Sequence, residues 1–330
     1  MPQITLVLPF ALPPPELAQD LVRALKAPAL ATLLARSTRR RIPVDDGARA
    51  LPHEGWLARA LGLESDGQPA FARAAMRGFG LDHEDGTWFI VNPAHIAISR
   101  SHLLMSDLRG LQLSDAHSRA LFDTAKPYFD EVGKPLLYGD AATWFMRADD
   151  WSVLATASPD SAIGLNLTEW LPQGDRSIQF RKLQNEIQML WYEHPANTER
   201  EQRGLQPVNA FWPWSPSAAA PSAPALHAAD DAPSWMTALA RQRDITPSQL
   251  PEGSDALLVC DSLSAPALAG EWAGWLAQFE RIDSALIAPL RERRDVRLVL
   301  TRRDAHFDYS TTTMAALQFW RRPSLDTLLP

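Results

Sequence analysis

Two stretches near the C-terminus, "DALLVCD" (255–261) and "VRLVLT" (296–301), are apolar almost throughout. Between them Trp272, Trp275, Leu276, Phe279, Ile282, Leu286 and Leu290 return every three or four residues, the spacing of one helix face. This β–helix–β order narrows the possible folds. It predicts an α/β chain in which both strands are buried parallel neighbours joined by a right-handed crossover. Ile4 to Leu8 is a third compact apolar run, bounded by prolines, and fits a buried strand better than a helix.

The remaining chain alternates between the two periods. Residues Glu16 to Arg36 read as helical, broken at Ala27 and Pro28. From Gly78 onward, "GTWFIVNP", "KPLLYG" and "ATWFMRA" read as strands and Leu113 to Phe129 as a helix, an α+β pattern. Arg176 to His194 is the clearest amphipathic helix, with Leu183, Ile187, Leu190, Trp191 and His194 on one face. Val208 to Trp212 reads as a short strand stopped by Pro213. The Pro/Ala/Ser-rich segment 215–234 reads as a loop or linker, with a lid as the lesser alternative. The expected division is 1–77 as the first part of an α/β core, 78–160 as an inserted α+β subdomain, and 161–330 as the remainder of the core.

Charge and composition remove several function classes. A net charge of -7 over 330 residues argues against general nucleic-acid binding, which needs a surplus of cations. Arg39, Arg40 and Arg41 are the only compact basic run, and beside Asp45 and Asp46 they read as a solvated loop. Cys260 is the only cysteine, so one chain can build neither an internal disulfide nor a thiolate zinc cage. The apolar N-terminal stretch lacks a basic leader and is cut by Pro9 and Pro13 to Pro15, so a cytoplasmic protein with no membrane segment is expected.

Ligands of open parallel sheets bind outside the carboxyl ends of the strands. Both C-terminal strands end in polar groups there, Asp261 and Ser262 in one case and Thr301, Asp304, His306 and Asp308 in the other. Asp261, Asp304 and His306 are candidate ligands for a divalent metal, and Ser262 and His306 are candidate catalytic groups. Helix capping and turn formation explain the same residue types without a ligand. His194, Asn197 and Arg200 form a second polar group, in which Asn197 is placed to cap a helix and Arg200 to meet an anion or a carboxylate. Asp82, His83 and Glu84 are metal-ligating types, but the Asp85-Gly86 turn signal behind them favours a solvated hairpin. His95 and His102 flank Arg100 at helical spacing and read as surface or packed residues. Trp212, Trp214, Trp272 and Trp275 suit a core or an interface first and an aromatic pocket second. No glycine-rich phosphate loop follows any strand.

The run "NEIQMLWYEHPANTEREQRGLQPVNAFWPW" (185–214) resembles a proteobacterial family of Rpf-type regulatory proteins. That family is itself similar to the archaeal type of cofactor-independent phosphoglycerate mutase. The mutases carry a similar His-Pro-x-Asn, then Arg and Gly, then Pro-x-Asn, and "FERIDSALIAPLRERRDVRLVLTRRDAH" (279–306) resembles their last helix and strand. The resemblance implies an alkaline-phosphatase-like α/β fold with an inserted α+β domain, two metals and a transiently phosphorylated serine. It places Asn209 along the substrate cleft, where His194, Asn197, Arg200, Trp212 and Trp214 become candidate ligand contacts.

Four positions depart from that pattern. The first strand runs into "VLPFALP" where the family has Asp-Gly, and His53 and Glu54 stand where the serine belongs. Asp261 is kept without the histidine that follows it in the family, and Asp304-Ala305-His306 replaces Asp-His. Such departures imply a mutase-like scaffold without catalysis, expected to need no cofactor and to bind a protein partner or small ligand. The tryptophan surplus also allows a homo-oligomer. The alternative is an active metal-dependent mutase or phosphatase, using Mn or Mg in a rearranged site.

Overall fold

The computed structural model describes residues 3–45, 47–81, 85–99, 102–218, 226–240, 250, 255–311 and 322–329. The chain opens with strand β1 (Ile4–Leu8), helices α1 (Ala18–Ala24) and α2 (Pro28–Ala35), strand β2 (Ser37–Ile42) and helix α3 (Pro52–Leu61). A small β3 (Glu64–Ser65) and β4 (Gln68–Pro69) hairpin leads to α4 (Ala72–Gly78) and β5 (Trp88–Ala94). Next come the hairpin β6 (Ile96–Ser99) and β7 (His102–Met105), α5 (Asp115–Glu131), β8 (Leu136–Tyr138) and β9 (Trp144–Arg147). Helices α6 (Pro159–Ala162), α7 (Ser177–Tyr192) and α8 (Pro195–Gln202) precede β10 (Ala210–Ser217) and β11 (Leu226–Asp230). The chain closes with α9 (Ser234–Thr237), β12 (Ala256–Cys260), α10 (Ser264–Ala269), α11 (Trp272–Ile282), β13 (Val296–Arg302) and β14 (Ala305–Thr311).

These elements form two compact units, one of Met1–Trp56 with Ala225–Pro330 and one of Leu57–Pro224. The second is therefore an insertion, and it is wider than the segment 78–160 that periodicity delimits. Its breadth follows from packing: Phe180, Leu183, Ile187 and Trp191 of α7 enter the same core as Phe89 and Val91 of β5 and Phe211 of β10.

In the first unit the strand order is β11-β12-β1-β13-β14-β2, with β11, β12, β1 and β13 mutually parallel. The β12 and β13 strands are not neighbours, contrary to the sequence expectation, because β1 lies between them and pairs with both. All five residues of β1 are buried, which is what a central strand requires. One sheet face carries Ile4, Leu6 and Leu8, Leu258 and Cys260, Leu298 and Leu300, and Phe307 and Tyr309. Leu21 of α1, Leu30 and Leu33 of α2, and Trp275, Phe279 and Ile282 of α11 cover it.

Pro28 sits in the first turn of α2, as its missing N–H permits. The free N–H groups of Ala29 (3.1 Å) and Leu30 (2.7 Å) donate to the buried Asp283 carboxylate. Burial outweighs those two bonds and raises the Asp283 pKa. Asp283 itself begins a π turn (Asp283–Ile287), so the amphipathic run reaching Leu290 is α-helical only to Ile282. Pro289, which cannot donate to the preceding turn, accounts for the change.

The second unit holds the antiparallel sheet β10-β5-β9-β8. Pro213 does not stop the strand as its type suggests. It pairs with Val91 inside β10, and β10 is an edge strand in which a missing N–H is tolerated. Part of the supposed 215–234 linker is strand as well, since 215–217 finish β10 and 226–230 form β11, which pairs with β12. No helix among the described residues is long and apolar enough to cross a membrane.

Candidate functional site

The four parallel strands of the first unit end along one edge of their sheet. Val259 pairs with Val7, Val7 with Val299, and Thr301 with His306. Two residues beyond the valines, the next row therefore reads Asp261, Pro9, Thr301, His306. With strands spaced ~4.8 Å, Asp261 and His306 stand roughly 14 Å apart across the row. No single cation spans that gap, because its oxygen and nitrogen ligands lie within ~2–2.6 Å of the metal.

Asp261 and His306 on this row are engaged locally. Asp261 is buried and accepts from the Ser264 hydroxyl at the start of α10. His306 Nε2 lies 2.9 Å from Asp308 Oδ1, and the other oxygen of Asp308 takes the Arg297 guanidinium. Burial pulls the Asp308 pKa up, but the hydrogen bonds from His306 and Arg297 win and hold it below the usual carboxylate range. The Thr301 hydroxyl is fully buried, and it has no hydrogen-bond partner among the described residues.

Asp304 is elsewhere. It lies in the β13–β14 turn, its side chain 62% exposed and ion-paired with Arg302, so it does not join Asp261 and His306 as a metal ligand. Two-residue hairpin geometry turns position 304 outward while position 306 returns to the sheet face. Among the described residues, no three His, Cys, Asp or Glu side chains are placed to hold a metal ion.

Ser262 belongs to a different cluster. Its hydroxyl donates to Asp231 Oδ2 (2.6 Å) and accepts from the Arg281 guanidinium (2.9 Å), which is also paired with Asp231. The serine bond first, and then Arg281, hold the Asp231 carboxylate below its ordinary pKa. Sequence reasoning missed both partners: Asp231 is hidden in the Pro/Ala/Ser-rich run, and Arg281 reads as an ordinary polar residue of an amphipathic helix.

Beside the row, Phe10 and His53 meet. Phe10, just past β1, adopts φ 54°, a left-handed backbone that favours glycine. Its ring packs edge-on against His53, with centroids 6.1 Å apart. Glu54 Oε2 accepts the Leu51 N–H at 2.7 Å, which closes the first turn of α3. Hence His53 packs and Glu54 caps.

In the second unit the candidate ligand contacts are structural. His194 Nδ1 caps α8 by accepting from the Ala196 N–H (3.1 Å). The proton must then sit on Nε2, which donates to Thr124 Oγ1 (3.0 Å), and burial lowers the His194 pKa. Asn197 does not cap. Its amide donates to Trp191 O and Val208 O and accepts from Val208 N, each at 2.8 Å.

Arg200 is fully buried and has no ion-pair carboxylate among the described residues. It donates to Gln206 O at 2.9 Å and to Leu111 O, and burial lowers its pKa. Asn209 bonds both the N–H and the C=O of Ile96 at 2.8 Å. Trp212 donates to Ala157 O and Trp214 to Asn92 Oδ1, each at 2.7 Å, and both indoles are buried. The two tryptophans are thus core residues, the first of the two readings their type allowed, and not the lining of a pocket.

His95 follows β5 and bonds Pro207 O (2.8 Å), and His102 begins β7, so the two flank a hairpin rather than lie on a helix. Arg100 and the run Asp82, His83, Glu84 lie outside the described residues.

No protein-family model matches the sequence, and no curated protein matches it. Among solved structures the chain is similar to the PH0037 protein from Pyrococcus horikoshii, with a TM-score of 0.56 and 12% identity, covering 99% of this chain and 92% of that one. It also matches a cofactor-independent phosphoglycerate mutase from Thermoplasma acidophilum, with a TM-score of 0.45 and 16% identity over 99% and 94% of the two chains. The likeness is one of fold. It rests on the first of the two structures and agrees with the expected architecture, a mostly parallel sheet flanked by helices.

Proposed function

We propose that the chain is a phosphoglycerate-mutase-like protein of the Rpf-type regulatory kind, one that has lost catalysis and acts in the cytoplasm by binding a protein partner or small ligand. The observation that carries this reading is the row Asp261, Pro9, Thr301, His306, which has a proline where the resemblance calls for a carboxylate ligand. Phosphoryl transfer of the mutase kind needs cations that clamp the attacking and leaving oxygens. The donor set does not fit such a pair: Asp304 is turned outward, and Phe10 and His53 pack together where ligand and nucleophile would meet.

Purified chain incubated with 2- or 3-phosphoglycerate, or with p-nitrophenyl phosphate, in the presence of Mn2+ is expected to show no turnover above the protein-free rate. Turnover that disappears in Asp261→Ala would overturn the proposal. The alternative, an active enzyme with a rearranged site, draws on Ser262 and its bond to Asp231. Against it, the lowered pKa of Asp231 makes that carboxylate a poor acceptor for the serine proton.

A further inference from the structure

The arginine run that reads as a solvated loop is a strand. Arg39, Arg40 and Arg41 lie in β2, which is antiparallel to β14 and ends the six-stranded sheet. No strand among the described residues pairs with its outer edge. Every second residue of an antiparallel edge strand turns its N–H and C=O away from the sheet, so β2 keeps free pairing groups along that side.

Alternation distributes the charges on both faces. Arg39 and Arg41 stand opposite Tyr309 and Phe307, and Arg40 opposite Asp308. All three are exposed, and none pairs with a carboxylate among the described residues. Arg39 is held in place, its guanidinium 3.9 Å from the centre of the Phe307 ring and 3.3 Å from Leu329 O. Arg36, also exposed, extends the run. In a protein of net charge -7, residues 36–44 carry four arginines and no acidic side chain.

A single charge is enough to discourage sheets from joining edge to edge. Three consecutive arginines do more. Their planar forks match carboxylates, and acidic residues directly opposite on an added strand would form cross-strand pairs on both faces.

We propose that the outer edge of β2 is a docking site for an extended acidic segment of a protein partner, which adds as a seventh strand. Main-chain bonds supply the affinity of this mode and the alternating side chains its selectivity. The proposal stands apart from the question of catalysis, because β2 contributes nothing to the row containing Asp261 and His306 beyond the pairing of Ile42 with His306.

The test uses the full chain and a short fluorescein-labelled peptide with three central glutamates flanked by valines and threonines, read by anisotropy. Saturable binding is expected, absent for the same peptide with lysines in place of glutamates. Arg40→Glu with Arg41→Glu is expected to weaken binding by about tenfold or more. Both side chains are exposed, and an unchanged thermal melt checks the fold.

Backbone N-methylation of one alternate set of peptide residues should abolish binding, while methylation of the other set should be tolerated. Strand addition uses one set only. No peptide binding, indifference to charge reversal, equal effects of both methylated sets, or displacement of the peptide by single-stranded DNA at equal concentration would each overturn the proposal.

Discussion

Asn197→Ala separates a structural role for the His-Pro-x-Asn run from a ligand-binding one. The native side chain ties the end of α7 to the approach of β10 through three bonds of 2.8 Å, to Trp191 O and to both backbone groups of Val208. Alanine strands the Val208 C=O and N–H in a site that is 2% exposed, while Trp191 O keeps the His194 N–H at 3.2 Å. Each unpaired buried group costs ~1–3 kcal/mol, so the expected loss is about 2 kcal/mol or more. Asn197→Asp should be no milder, because a carboxylate would face two carbonyl oxygens.

Urea unfolding followed by tryptophan fluorescence reads the effect, since Trp144 and Trp191 pack at 6.0 Å in the same core. A destabilisation under ~1 kcal/mol, accompanied by loss of ligand binding, would refute the structural assignment of this motif.

Three further outcomes follow from the site geometry. Asp308 has a folded pKa below its unfolded one, so its contribution to stability is fully present above about pH 4 and is lost as the pH falls through the folded value. Stability measured from pH 7 downward should therefore fall more steeply in the native chain than in Asp308→Asn; parallel curves would contradict the assignment. Phe10→Gly and Phe10→Ala both lose the ring that meets His53, but glycine relieves the backbone at φ 54°. The glycine variant should be the more stable of the two by about 1 kcal/mol, and equality of the two melts would argue against strain at position 10. Trp212→Ala should cost about 3–5 kcal/mol, as for a filled core position, whereas a neutral effect would restore the pocket reading.

What the sequence made legible was whatever burial writes into periodicity. Strands such as Ile4–Leu8 and Ala256–Cys260 are buried throughout and read as apolar runs, and α7 buries a single stripe, so it reads as a helix. What escaped depends on long-range order. Nothing local says that β1 inserts between β12 and β13. The three arginines disguise β2 as a loop, and small residues plus prolines disguise β11 as a linker. The same limit governs the site. Asn197, Asn209, Trp212 and Trp214 are the residue types that bind ligands, and only the positions of Val208, Ile96, Ala157 and Asn92 reveal that their polar atoms are already used. The lack of a carboxylate in "VLPFALP" was visible directly, but the place of Pro9 between Asp261 and Thr301 emerged only from the strand register.

Equilibrium dialysis of the full chain against micromolar Mn2+, with metal and protein quantified on both sides, probes the loss of the charged cluster most directly. The arrangement of Asp261, Pro9, Thr301 and His306 predicts no saturable uptake that Asp261→Ala removes. Two manganese ions bound per chain, both lost in that variant, would contradict it.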